Sequence, residues 1–275
     1  MEVEPMIAVS ESIRKGDLEE ALAGAQALVR QSFSDPKHHV LLFQVLAVLG
    51  QWSRALSQLA ILEEMAPAMM PMVRTYQTAI KCEELRASVF EGRHTPLLLG
   101  EPEQWMAMIL QSLKLMVSGK PQAAAELRAS AFAAAPSQTG TIDGVEFQWL
   151  ADADPRIGPV LEAILDGKYY WIPLSNLSSV QIEKPVDLRD LVWIPSTLIL
   201  NNVGEKVALL PVRYPGSEAS ADSAIRLARK TEWAGLESDT VAGLGQRMFA
   251  TDGNEYPLLE TRSIKFHPAA APASP

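Results

Sequence analysis

The stretch "ADADPRIGPVLEAILDGKYYWIP", Ala151 to Pro173, concentrates the residue types that could do chemistry: two aspartates two positions apart, then an arginine, a glutamate, a third aspartate and three consecutive aromatics. A D-x-D pair binds magnesium when further carboxylates or a phosphate converge on it. Glu162 or Asp166 would supply the carboxylates here, and Arg156 or Arg213 would hold an acidic or phosphorylated small molecule. The EF-hand pattern is absent, because no D-x-D-x-D-G loop with a distal glutamate follows. The competing account is local. Asp154 before Pro155 is how a helix starts, the carboxylate accepting an orphan amide and proline filling the first turn. Gly167, after Ile164 and Leu165, is placed as the stop. This account is preferred; it predicts a helix over Pro155–Asp166, with no metal and no cofactor.

Other reactive residues form no constellation. His38, His39, His94 and His267 fall in loops or helix starts without metal-ligand spacing. Cys82, the only cysteine, lies inside an expected helix between Lys81 and Glu83 and excludes an intrachain disulfide. Ser217 in "RYPGSE" lacks the G-x-S-x-G elbow, and "GLGQRM" from Gly243 lacks the third glycine and the preceding strand of a dinucleotide site. "DLRDLVW", Asp187 to Trp193, suits an internal salt-bridge network better than a recognition rim. Methionines 65, 69, 70 and 72, around Pro67 and Pro71, and 106, 108 and 116 are read as core filling, although thioethers also line adaptable helix-binding grooves.

The elements that must position these residues divide near residue 140. In the first half "GDLEEALAGAQALV" from Gly16 and "GQWSRALSQLAILE" from Gly50 repeat with a period of 34, aligning Ala21 with Ala55 and Leu22 with Leu56. That is the period of tetratricopeptide-like helix pairs. Glycine permits the tight turn, a small alanine allows close helix approach, and Pro36 and Pro67 are expected to close each second helix. A third copy begins at Gly119, with Ala124 and Pro136 at matching offsets, and "VRTYQTAIKCEELRASVFEG" between them reads as an altered helix with a loop.

Beyond "SQTGTIDG" the texture becomes aromatic and β-branched. "KYYWIPL", "LSSVQIE", "LVWIPSTLIL", "VALLPVRY" and "YPLLETRSIKF" are expected strands, "NNVGEK" a hairpin turn, and Ser220–Lys230 a second helix. Along a strand Tyr169 and Trp171 share one face and Tyr170 takes the other. The expected fold is therefore α+β: an all-α tetratricopeptide-like superhelix over 1–140, a smaller α+β domain with an antiparallel sheet over 141–266, and a disordered tail, "HPAAAPASP", over 267–275.

Composition narrows the function. Of 275 residues 48% are hydrophobic and 21% charged, enough apolar content for a packed core. The net charge of −9, acidic in both halves, disfavours nucleic acid and anionic membranes as partners. The longest strongly apolar run, "VLLFQVLAVL" from Val40, is far short of the roughly 20 residues that span a bilayer. The acidic start "MEVEPM" is unlike a secretory signal, so a cytoplasmic protein is expected.

Four blocks, "ADADPRIGPVLEAILDGKYYWIP", "PVDLRDLVWIPS", "LLPVRYPGSE" and "LARKTEW", resemble in sequence and order the signature blocks of the ImpE family, also called TagJ. The resemblance covers nearly the whole chain. It implies a cytoplasmic, non-enzymatic accessory protein of bacterial type VI secretion whose partner is the small sheath subunit TssB, bound through an N-terminal helical segment, with an indirect link to sheath disassembly by ClpV. The family assigns no catalytic residue. Within the blocks Tyr170, Trp171, Arg189, Trp193, Arg213 and Tyr214 are the residues expected to touch the partner. A metal-dependent enzyme using Asp152 and Asp154 is the alternative, and a scaffold binding a different chain through its helices is a third.

Overall fold

The computed structural model describes residues 3–100, 103–238 and 240–268. Glycines at positive φ set the rhythm of the helical part. Gly16, Gly50 and Gly119, at φ +82, +65 and +70, each reverse the chain between two helices. The pairs are α1 (Val3–Lys15) with α2 (Leu18–Gln31), α3 (Pro36–Val48) with α4 (Trp52–Met65), and α6 (Gln104–Val117) with α7 (Pro121–Ala134). Five residues after each turn glycine stands an alanine with no exposed surface, Ala21, Ala55 or Ala124, so the period marks equivalent contacts. Between the second and third pairs runs one long helix, α5 (Met70–Phe90). Pro36 does not close α2, which ends at Gln31. It opens α3 with Asp35 as the cap, since its missing N–H costs nothing in a first turn.

A nine-stranded sheet carries the second part. Its strands are β1 (Leu97–Leu98), β2 (Gly140–Ile142), β3 (Val145–Phe147), β5 (Val160–Leu165), β6 (Lys168–Pro173), β7 (Leu177–Ile182), β8 (Trp193–Leu200), β9 (Gly204–Pro211) and β14 (Ser263–Phe266). Their order is β1-β6-β5-β9-β8-β7-β14-β2-β3, antiparallel except where β1, from the helical part, runs parallel to β6. A three-stranded sheet holds β4 (Leu150–Asp152), β12 (Met248–Thr251) and β13 (Glu255–Pro257), in the order β13-β12-β4. A hairpin pairs β10 (Thr231–Gly235) with β11 (Val241–Gly245).

The helix expected over Pro155–Asp166 does not form. Residues from Pro155 make a turn and "VLEAIL" is β5, buried on both faces, so no period-2 alternation distinguished it from a buried helix. Asp166 and Gly167, at φ +47 and +76, are the two-residue hairpin turn into β6. The expected helix over Ser220–Lys230 shrinks to α8 (Ser223–Arg226), started by Asp222. "YPLLETRSIKF" splits into β13 and β14 around a turn. Of the expected tail only His267 and Pro268 are described; 269–275 lie outside the described residues.

The large sheet separates two apolar layers. Ile164, Tyr169, Trp171, Trp193 and Leu209 join the helices in one core, while Leu161, Ile172, Val180, Leu198 and Leu210 form the other with Ile142, Phe147 and Phe249. The alternation expected of the aromatic triplet holds. Tyr169 and Trp171 face the helices, and half-buried Tyr170 packs on the opposite side.

Candidate functional site

Where the helices meet the sheet the core is charged. Glu162, without exposed surface in the middle of β5, accepts from Arg86 of α5 through Nε at 2.8 Å and Nη2 at 3.0 Å, and also from Arg247 and the Tyr169 hydroxyl. Burial pushes the Glu162 carboxyl up. The two arginine charges and the hydrogen bonds from Arg86 and Tyr169 outweigh it and hold the group well below the usual carboxylate range. Arg247 bridges onward to Asp152 at 3.0 Å. Asp152 also accepts from the Tyr214 hydroxyl at 2.9 Å and from the Asp154 amide at 2.8 Å. Burial, together with the neighbouring Asp154, raises its pKa to about 7 against the pull of Arg247 and these donors.

Asp154 is committed too. One oxygen accepts from the Arg156 amide at 2.9 Å, the other from the Gly243 amide at 2.9 Å and Arg156 Nη2 at 2.5 Å. Asp152 and Asp154 thus face separate donors, and each oxygen already has a protein partner. Nothing in this arrangement converges on a position where a cation would sit. Among the described residues no group of three or more His, Cys, Asp or Glu side chains is placed to hold a metal ion. Asp154 does begin a local structure, as its motif implied, but the structure is a turn.

Arg213 shows how the blocks serve the seam. Its guanidinium, almost fully buried, donates to the carbonyls of Val48 at 2.6 Å and Ala47 at 3.3 Å at the end of α3, and to Arg226 O at 2.6 Å at the end of α8. A cation capping two helix C-termini offsets both orphan carbonyls and helix dipoles. Burial lowers its pKa to about 10. Its own carbonyl accepts from Arg86 Nη2 at 2.9 Å, so backbone and side chain both join the two parts. Trp193 adds an indole bond to Glu83 of α5 at 2.9 Å, and Trp171 donates to the Tyr169 hydroxyl at 2.6 Å.

The six residues expected to touch a partner therefore divide. Trp171, Trp193, Tyr214 and Arg213 are buried, at 0%, 0%, 0% and 4% exposure, and present no usable surface in this conformation. Tyr170 and Arg189 are half-buried. Arg189 lies 4.7 Å over the Tyr76 ring and pairs with Asp187 at 2.5 Å, inside a capped turn made by "DLRD". The remaining candidates are structural as well. Ser217 donates to Tyr214 O and accepts from the Gly245 amide. The Cys82 thiol points at Gly167 O, and burial pushes its pKa to about 11. His39 is held by Gln58 and Phe33 O. Met106 is buried in the core, and Met69, Met72 and Met108 pack on it. Reading by sequence missed Arg86 and Arg247, whose bonds to Glu162 and Asp152 span 76, 85 and 95 residues of the chain, although Arg86 also pairs with Glu83 one turn away.

Helix pairs are thus fastened by buried arginines to a largely antiparallel sheet, with Asp152, Asp154 and Glu162 paired internally. The family described as ImpE protein matches residues 144–265. The type VI secretion system accessory component TagJ of Pseudomonas aeruginosa is 49% identical over 261 residues, which cover 95% of this chain and 92% of that protein. The crystal structure of protein VPA1032 from Vibrio parahaemolyticus superposes with a TM-score of 0.86 over 94% of this chain and 97% of that one, at 21% identity, and so shares the fold. The chain belongs to the ImpE family of type VI secretion accessory components.

Proposed function

We propose that the protein is a non-enzymatic cytoplasmic adaptor that binds a helical segment at the N-terminus of the small sheath subunit TssB, and through it bears on sheath disassembly or recycling by ClpV. The observation that supports the non-enzymatic part is the internal commitment of Asp152, Asp154 and Glu162, each of whose carboxylate oxygens is already held by a protein donor. The adaptor part rests on the 49% identity to a secretion accessory component. No helix among the described residues is long and apolar enough to cross a membrane, in keeping with work on a soluble partner.

In this account residues 1–140 act as a tetratricopeptide-like superhelix and 141–266 as the sheet domain that braces it. An amphipathic helix lays its apolar stripe on a groove and gains affinity from a few buried anchors. Ile7 and Phe33, each 59% exposed at the start of the helical stack, offer apolar surface for it. Tyr170 and Arg189 are the alternative contacts retained from the blocks. Calorimetric titration of the TssB N-terminal peptide is the test. Micromolar binding that weakens at least tenfold in Ile7→Asp/Phe33→Asp supports the helical face, and the same loss in Tyr170→Ala/Arg189→Ala moves the contact to the sheet domain. Absence of binding at high micromolar concentration overturns the proposal.

A further inference from the structure

A second surface, distinct from the helix-binding one, is the outer edge of β10. The β10–β11 hairpin is a sheet of only two strands, an arrangement that is marginal by itself. β11 is anchored to the body of the protein, since Gly243 N donates to Asp154 at 2.9 Å and Gly245 N to the Ser217 hydroxyl at 2.8 Å. Those two amides point away from β10, so their cross-strand neighbours, Trp233 and Thr231, turn their own N–H and C=O away from β11. Gly235, two residues further on, does the same. Among the described residues none of these three positions has a backbone partner.

The strand lies open to solvent along its length. No residue of β10 is buried; Trp233 is 38% exposed, and Leu236, just beyond the strand, 39%. Exposed edges are usually blunted by a proline, a bulge or a free charge. β10 has no proline, and its register with β11 is unbroken. Its charges are engaged within the chain, the flanking Lys230 pairing with Glu232 and with Asp222, both at 2.6 Å.

We propose that β10 pairs antiparallel with β10 of a second copy of this chain, about a two-fold axis at Trp233, to make one four-stranded sheet. A two-fold contact requires an edge complementary to itself, and this one is. In that register Trp233 meets Trp233, Thr231 meets Gly235 and Glu232 meets Ala234, so no like charges stand directly opposite. The two Glu232 side chains are diagonal neighbours, and each brings Lys230 as its own counter-charge. The two indoles, each already packed on its own Tyr214 with ring centroids 5.7 Å apart, cover one another. A single strand pair buries less than a standard interface, which makes the dimer weak and dependent on concentration.

Sedimentation velocity of the full-length protein, from low to high micromolar concentration, is the test, with amide exchange followed by NMR. The expected result is a mass that rises from the 30.0 kDa of a single chain toward twice that value. Exchange of the Trp233 amide should slow as the mass rises, while that of Ala234, which faces β11, stays unchanged. Gly235→Pro removes an outward N–H and no hairpin bond, and should weaken dimerisation at least tenfold. Ala234→Glu sets a carboxylate opposite Glu232 of the other copy and should also weaken it at least tenfold, whereas Ala234→Lys should leave it equal or tighter. Should Gly235→Pro melt early, the contrast between the two Ala234 variants reads the register by itself. A single-chain mass at every concentration, a dimer untouched by a folded Gly235→Pro, or equal dimerisation in both Ala234 variants would each overturn the proposal.

Discussion

Two joints in this molecule are built from opposite materials. Within the helical part, neighbouring helices meet through Ala21, Ala25, Ala55, Leu59 and Leu62, side chains with no polar atom to satisfy. Between the helical part and the sheet, the apolar contact of Trp171 and Trp193 with the helices is threaded by an ionic one, Arg86, Arg213, Arg247, Glu162 and Asp152, all almost fully buried. An apolar joint tolerates substitutions of similar volume, because its strength scales with area. A buried ionic joint tolerates few, since removing one member leaves another charge uncompensated. The blocks that identify the family are therefore conspicuous for fixing a seam, and most of their aromatics and arginines work inward.

Breaking the ionic joint should give the largest effect. Glu162→Gln leaves Arg86 and Arg247 facing each other without their shared counter-charge, and urea unfolding should show a loss of about 3–5 kcal/mol. Arg213→Met strands the carbonyls of Val48 and Arg226, while Ala47 O keeps its bond from Gly50 N, and should cost about 2–3 kcal/mol in the same measurement. A conservative Leu59→Met in the apolar joint should stay below about 1.5 kcal/mol. A loss at Leu59 equal to that at Glu162 would remove the distinction.

Two glycines sharpen the comparison. Gly50 and Gly119 have similar positive φ, so alanine is strained at both, at about 1 kcal/mol. Only Gly50 meets the seam, where an added Cβ would lie 2.5 Å from the Glu218 side chain, whereas at Gly119 nothing lies within 4 Å. Thermal melts should therefore show Gly50→Ala less stable than Gly119→Ala by a few degrees. Equal melting temperatures would mean that the turn of the second helix pair is not held by the sheet domain.

The smallest expected effect is one of pH. Asp152, with its folded pKa raised to about 7, binds a proton more readily folded than unfolded. The stability this gives is present below about pH 4 and disappears as pH rises toward 7. Glu162 has the opposite sign, its contribution being lost only under acid conditions below the ordinary glutamate range. The advantage of the wild type over Asp152→Asn should therefore shrink by a few degrees between pH 5 and pH 8. A gap that widens over that range would reverse the assignment.

Much of the fold was legible because it is written in local periods. The 34-residue recurrence located Gly16, Gly50, Ala21 and Ala55, and alternation separated Tyr170 from Tyr169 and Trp171. β5 was misread because "VLEAIL" is buried on both sides and follows an Asp-Pro that mimics a helix cap. The corrective signal was present in Asp166-Gly167, the favoured two-residue hairpin turn, as it was in Asp143-Gly144 between β2 and β3. The seam itself was beyond local reading. Nothing near Glu162 in sequence announces Arg86 or Arg247. For the same reason, Trp171, Trp193, Arg213 and Tyr214 were named as partner contacts when the chain buries them.

The central claim is that the buried ionic seam makes the helical part and the sheet one cooperative unit. Differential scanning calorimetry of the full-length protein and of Glu162→Gln tests it directly. The account predicts a single transition for the wild type, with a van't Hoff enthalpy equal to the calorimetric one, and a lower or split transition for the variant. Two resolved transitions in the wild type, neither of them moved by Glu162→Gln, would contradict it.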